Sequence, residues 1–182
     1  MKYLKIISLL VLTLLTGINI GCERDDLCPG STPTTPNLIV DFYDVNNQES
    51  KKKVVNLAVS GIDDDGNPLP ISTTGSVTQL ALPLKTYENT TQFIIFNNFS
   101  VNDNGTPDDT SDDFPNGNPD LITINYSREE VFVSRACGYK TIFKNVTLTV
   151  ESDNDNWIKA RQPLNDNQSV EDETTTHFNI FH

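Results

Sequence analysis

Histidine, tryptophan and basic residues are all scarce in this 182-residue chain. There are two histidines, one tryptophan and three cysteines, and 13 lysines and arginines stand against 25 aspartates and glutamates. Both histidines, His177 and His182, close the chain. His177 reads as a strand-surface residue rather than a general base. Neither the G-x-S-x-G nucleophile elbow nor the H-E-x-x-H zinc pattern occurs, and no C-x-x-C is present. The usual hydrolase, zinc-protease and dithiol chemistries therefore lack their residues, and the chain reads as a non-enzyme with no catalytic residue to name. A carboxylate pair of the glycosidase kind depends on a separation in space, which a sequence does not show. The formal net charge is −12, and the first 21 residues hold only Lys2 and Lys5 and no acid, so the chain from Cys22 onward carries −14. Binding to nucleic acid depends on cations that neutralise phosphates, so no nucleic-acid partner is expected. After residue 21 no segment sustains helical periodicity.

What is present begins with a basic start, Met1 to Lys5, and an apolar run from Ile6 to Leu15. That run suits the core of an export signal and is short for a membrane span. Gly21-Cys22 follows where cleavage would fall. The stretch resembles a bacterial lipoprotein signal, with Ile20 and Gly21 in pattern and Asn19 where leucine is usual. The resemblance implies acylation of Cys22 and a membrane held through the N-terminal lipid. The alternative is an ordinary secretory signal with an incidental cysteine. Glu23-Arg24-Asp25-Asp26 resembles the export tag of Bacteroidetes lipoproteins, which implies the outer membrane and the cell surface. Attachment facing the periplasm is the alternative.

If Cys22 carries lipid, Cys28 and Cys137 remain as a pair in an oxidising compartment, where disulfides persist. A Cys28–Cys137 bridge is expected, tying the end of the tether to the core of the domain. Two independent thiols are the alternative.

The domain organisation follows. Residues 1–21 form the signal, residues 22–36 the lipidated tether and a Pro/Thr-rich linker, and residues 37–182 one β-domain with an acidic loop at 102–119. Strands are expected at 37–44, 53–60, 77–84, 92–99, 120–126, 129–136, 140–150 and 175–181, from period-2 alternation between turn signals. Leu38, Val40 and Phe42 share one face of the first, and Leu80, Leu82 and Leu84 one face of the third. Residues 92–99 are apolar on both faces at their start, as a central strand would be. Ser127-Arg128 reads as a hairpin turn, residues 153–162 as a place for one helical turn. Seven to nine short strands argue for an all-β fold, a single antiparallel β-sandwich of Ig-like or Greek-key type, with a small β-barrel as the alternative.

Several stretches carry a family likeness: Cys22 to Pro29, Thr32 to Leu38, Leu82 to Thr86, and above all Val133-Ser134-Arg135-Ala136-Cys137-Gly138-Tyr139-Lys140. On these the chain resembles an uncharacterised lipoprotein family of flavobacteria and other Bacteroidetes, catalogued as a domain of unknown function. The resemblance implies a surface or outer-membrane lipoprotein with a β-rich domain and no assigned activity. It also implies an outer-membrane β-barrel protein as a possible partner. The acidic stretch at 102–119 is longer than the resemblance leads one to expect.

That acidic stretch is the sharpest chemical feature. Asp103, Asp108, Asp109 and Asp112 surround Asn104-Gly105 in a pattern that resembles the Asp-rich calcium repeats of adhesion proteins, so these four are the candidate calcium ligands. A solvated loop without metal is the alternative. Trp157, Tyr139, Tyr126 and Tyr43 are candidates for a sugar-stacking platform, and Arg135 for an ion pair with Glu129 or Asp41. The reading of function is a non-enzymatic interaction or accessory subunit, with a carbohydrate-binding surface module as the alternative and a hydrolytic enzyme behind both.

Overall fold

The computed structural model describes residues 27–32, 34–164 and 168–182. The signal-like segment and Cys22 lie outside the described residues. The chain divides into two compact units. The small unit joins Met1–Thr32 to Phe132–Tyr139, and the large unit comprises Pro33–Val131 and Lys140–His182. Among the described residues no helix is long and apolar enough to cross a membrane.

Among the described residues ten strands carry the fold: β1 (Leu38–Asp44), β2 (Asn47–Lys51), β3 (Val54–Gly61), β4 (Ser72–Val77), β5 (Gln79–Leu82), β6 (Thr90–Asn102), β7 (Phe114–Ser134), β8 (Gly138–Val150), β9 (Ala160–Pro163) and β10 (Phe178–Phe181). One sheet runs β2-β1-β10-β9, with β5 also paired to β1. The other runs β4-β3-β6-β7-β8. The fold is all-β, as the alternation predicts. One pairing departs from a wholly antiparallel sandwich: β10 returns to lie parallel to β1, with Val40 opposite Phe178 and Phe42 opposite Ile180.

The core forms where the apolar faces of the two sheets meet. Leu38, Val40 and Phe42 are fully buried on β1, and Leu80 and Leu82 oppose Val40 and Leu38 from β5. Ile95, Ile122 and Ile124 fill the second sheet's inner face. A fully buried aliphatic or aromatic side chain stabilises by about 1.5–3 kcal/mol, so these rows are the main source of stability.

Three strand positions are asparagines with left-handed backbone: Asn56 (φ 43°), Asn98 (φ 56°) and Asn145 (φ 53°), the first two at register shifts. Asparagine tolerates that conformation better than other side chains, because its short amide bonds locally. Each site breaks the two-residue alternation. Register shifts between Val54 and Leu57 against β4, so both face the core although they are three positions apart. On β8 the same device sends Phe143 and Val146 into the core. Unbroken alternation puts Ile142 in line with Val146. Ile142 is buried, but Phe143 is the residue that joins the main cluster.

Other expectations need correction. Ser127-Arg128 is not a turn: β7 runs unbroken through it for 21 residues. Asn145 Nδ2 donates to Ser127 Oγ, which in turn donates to Lys144 O. Arg128 reaches the 86–89 loop by donating to Thr86 O and Asn89 Oδ1. The polar side chains that resemble a turn are therefore ties from exposed positions of the strand. Residues 153–162 hold no helical turn. Asp153 Oδ1 accepts from the Asp155 amide at 2.9 Å, and the Asp153 amide donates to Asn156 Oδ1 at 2.9 Å. These side chains compete for the backbone bonds a helix would need. The expected strand at 77–84 is the shorter β5, with Val77 closing β4 instead, and the polar β2 and β4 have no apolar alternation to reveal them.

Candidate functional site

Two places carry chemistry beyond the core, one in each unit. In the small unit the Cys28–Cys137 disulfide is formed, with Cα atoms 4.8 Å apart and a sequence separation of 109. Cys137 belongs to the turn from β7 to β8, where its amide donates to Ser134 Oγ at 3.0 Å. The bridge therefore fastens Leu27–Thr32 to a hairpin turn and not to the hydrophobic core. Phe132 and Tyr139 face each other at that turn, with ring centroids 5.4 Å apart at 68°. Both are exposed, and Leu27 is 83% exposed. A hollow of about 480 Å³ is lined by Leu27, Pro29, Val133 and Ala136, with Arg135 beside them. Arg135 is exposed and forms no ion pair among the described residues. Its expected partner Asp41 is taken by Lys51, 2.6 Å away.

In the large unit an open groove of about 590 Å³ crosses the outer side of β6 and β7. Its apolar floor comes from Ile62, Pro68, Ile94, Pro119 and Leu121. Ile94 and Leu121 are directly opposed in the sheet. Their neighbours Phe93, Ile95 and Ile122 are buried in the core. By strand alternation Ile94 and Leu121 face outward, where they remain half-buried. The Glu151 amide donates to Leu121 O at 2.8 Å, which seats the acidic segment Glu151-Ser152-Asp153 along the rim. Both rim carboxylates are exposed, and no histidine lines the groove. An aliphatic floor with an acidic rim can hold an apolar segment that carries a cation.

The four calcium candidates share one loop, but three of their carboxylates are engaged locally. Asp103 Oδ1 accepts from the Gly105 amide at 3.1 Å. Asp109 caps a single 3-10 turn, Thr110–Asp112, accepting from the Ser111 amide and hydroxyl, and those bonds hold its carboxyl below the usual range. Asp112 accepts from Asn104 Nδ2 and Thr106 Oγ1, with the same effect. Asp108 lies exposed on the same loop. Among the described residues no three histidine, cysteine or acidic groups come together as a metal set.

The four aromatics do not form one face. Trp157 is buried and donates from Nε1 to Ile95 O at 3.1 Å. Tyr126 is buried too, its hydroxyl 2.6 Å from Thr91 Oγ1 and donating to Lys85 O. Only Tyr43 and Tyr139 keep exposed ring surface, and they belong to different units.

His177 overturns its surface reading. It is 3% exposed, and its Nδ1 accepts from the Ile39 amide at 2.9 Å. Burial depresses its pKa, against the opposing pull of Asp172. The signal missed is the return of the last strand beside β1. Asp120 was missed as well. Fully buried on β7, it accepts from the Ile158 amide at 2.8 Å and the Trp157 amide at 3.3 Å, which fixes Trp157 in the core. Burial pushes its carboxyl up. Both are structural groups inside the fold.

No curated protein and no solved structure matches the chain. The model of the Family of unknown function (DUF6452) matches residues 56–182, more than half of the chain, and the protein belongs to that family.

Proposed function

We propose that this protein is a lipid-anchored, non-enzymatic accessory subunit of the outer membrane of a Bacteroidetes bacterium, exposed at the cell surface and docked onto an outer-membrane β-barrel protein. The observation that carries the reading is the Cys28–Cys137 disulfide. It persists only where thiols are oxidised. It also fixes the chain to a hairpin six residues after Cys22, so a hold on the Cys22 lipid is a hold on folded protein. The signal-like segment before Cys22 and the acidic Glu23-Arg24-Asp25-Asp26 supply the address. The groove over Ile94 and Leu121 is the surface offered to the partner. Its exposed rim carboxylates and aliphatic floor suit recognition better than proton transfer, which needs a group held near the working pH and aimed at a reacting atom.

The test is affinity purification of the native protein from detergent-solubilised membranes, with the mass of the mature N-terminal peptide measured on the same sample. A diacylated Cys22 and a co-purifying β-barrel protein are the expected results. An unmodified Cys22 overturns the anchor, and recovery of no membrane protein above background overturns the partner.

A further inference from the structure

The small unit exposes more apolar surface than its size requires. Among the described residues, nine large hydrophobic side chains are exposed, and three of them, Leu27, Phe132 and Tyr139, lie in this unit, at 83%, 56% and 67%. They are not scattered. Phe132 and Tyr139 pack edge to face across the mouth of the β7–β8 turn, and the disulfide brings Leu27-Cys28 to that same turn. The hollow lined by Leu27, Pro29, Val133 and Ala136 opens at the same turn. Exposed apolar groups gathered in this way mark a surface that another apolar phase covers.

We infer that the β7–β8 turn is a membrane-contacting tip, whose Leu27, Phe132 and Tyr139 side chains enter the lipid interface of the bilayer that holds Cys22. The inference rests on the proposed acylation of Cys22. The length of chain leading to the patch decides the occupant. Leu27 is five residues from Cys22, and a fully extended chain of that length spans at most about 17 Å. An acylated Cys22 lies at the boundary between headgroups and acyl chains, and a peripheral apolar face buries about 5–10 Å into the same boundary. The patch is therefore held within reach of lipid at all times. The tether raises its effective concentration there, so a contact too small to bind a membrane unaided is populated. Tyrosine suits the position, since its ring is apolar and its hydroxyl stays wet. Charge selects the lipid. Glu23, Asp25 and Asp26 outnumber Arg24 in the tether and the exposed Arg135 at the turn, so the net charge beside the patch is negative, and the contact is with uncharged or zwitterionic headgroups and is driven by apolar burial.

The experiment supplies the anchor chemically. The oxidised chain 22–182 has one free thiol, Cys22, because Cys28 and Cys137 are bridged. That thiol is coupled to a maleimide lipid in phosphatidylcholine vesicles whose acyl chains are brominated to quench tryptophan. Phe132→Trp and Tyr139→Trp are two independent reporters. The parent protein gives the constant signal of buried Trp157, and Tyr87→Trp, at a site 90% exposed in the large unit, is the control. On tethering, the added emission of both tip reporters shifts to the blue and is quenched, while that of Tyr87→Trp does neither. Absence of quenching at both tip positions overturns the inference, and so does equal quenching at position 87. Failure of native acylation is a separate outcome, read from the mass of Cys22 in cells, and does not affect this measurement.

Discussion

The Nδ1 atom of His177 accepts a hydrogen bond from the amide of Ile39 at 2.9 Å, and the His177 amide returns one to the carbonyl of Ile39, also at 2.9 Å. These reciprocal bonds join the residue before β10 to the start of β1, just ahead of the first parallel partners, Val40 and Phe178. An acceptor at Nδ1 requires the neutral ring, because both ring nitrogens donate once the ring is protonated. The folded state therefore holds His177 below the ordinary histidine value of 6.5, with burial as the main cause. His182, also depressed by burial, acts in the same direction.

The pH dependence follows from that sign. Below 6.5 the unfolded chain takes up a proton that folded His177 refuses, so stability is complete above 6.5 and is lost as pH falls. Each histidine contributes at most about 1.4 kcal/mol per pH unit. Urea midpoints measured from about pH 7.5 to about pH 5.5 are expected to fall. His177→Leu flattens part of that slope. It also costs about 1–3 kcal/mol at neutral pH, since the Ile39 amide is left buried without an acceptor. A slope unchanged in His177→Leu would assign the effect to other groups.

The disulfide makes a second, larger contribution. Cross-linking residues 109 apart removes about 4–5 kcal/mol of loop entropy from the unfolded chain in the chain-entropy model. Cys137→Ser is expected to lower the unfolding free energy by that order, read from urea denaturation. Because the bridge sits at a turn and not in the core, the folded state keeps its near-ultraviolet signal from buried Trp157. Loss of that signal in Cys137→Ser under native conditions would show that the large unit depends on the bridge for its packing.

Gly117 tests the bulge in the β6–β7 hairpin. Its φ is +133°, and an added Cβ would lie 3.0 Å from Asn97 O and 3.1 Å from Asn98 O. Those carbonyls flank the register shift between Asn97 and Ser100, and backbone cannot move aside as a side chain can. Gly117→Ala is expected to cost about 1–3 kcal/mol. The check is the denaturation midpoint, with Gly30→Ala as the control, where an added Cβ meets nothing within 4 Å. Equal midpoints for the two variants would remove the strain argument.

The legibility of the chain divided along physical lines. Strand faces were readable where alternation ran undisturbed, as at Leu38, Val40 and Phe42 or at Ile122, Ile124 and Tyr126. They were misread where a left-handed asparagine reset the alternation, as at Asn145, because local propensity does not show a bulge. The Cys28–Cys137 bridge was readable from cysteine count and compartment, but its location at a turn was not. The groove left one trace: residues 92–99 are apolar on both faces at their start, and Ile94 is the outward one. Its partner Leu121 opposes it only through the β6–β7 register, a long-range fact that no local pattern contains. His177 and Asp120 were unreadable for the same reason, since their bonding partners are 138 and 38 residues away.

That groove yields the last prediction. Ile94 and Leu121 are half-buried and face away from the core, so Ile94→Lys and Leu121→Lys remove apolar floor without opening a cavity. A cation there also meets the Glu151 and Asp153 rim, which the protein would otherwise offer to a basic group on its partner. Stability is expected to change by about 1 kcal/mol or less, in keeping with sites outside the packed interior. Recovery of the proposed β-barrel partner is expected to fall for both variants, while Val55→Lys, at an exposed apolar position on β3, leaves it unchanged. Salt separates the two contributions. If the rim contributes, raising ionic strength weakens capture by the parent protein, whereas an association resting on the floor alone is indifferent to it. Undiminished recovery with both lysine variants would move the docking surface elsewhere on the molecule while leaving the lipid anchor untouched.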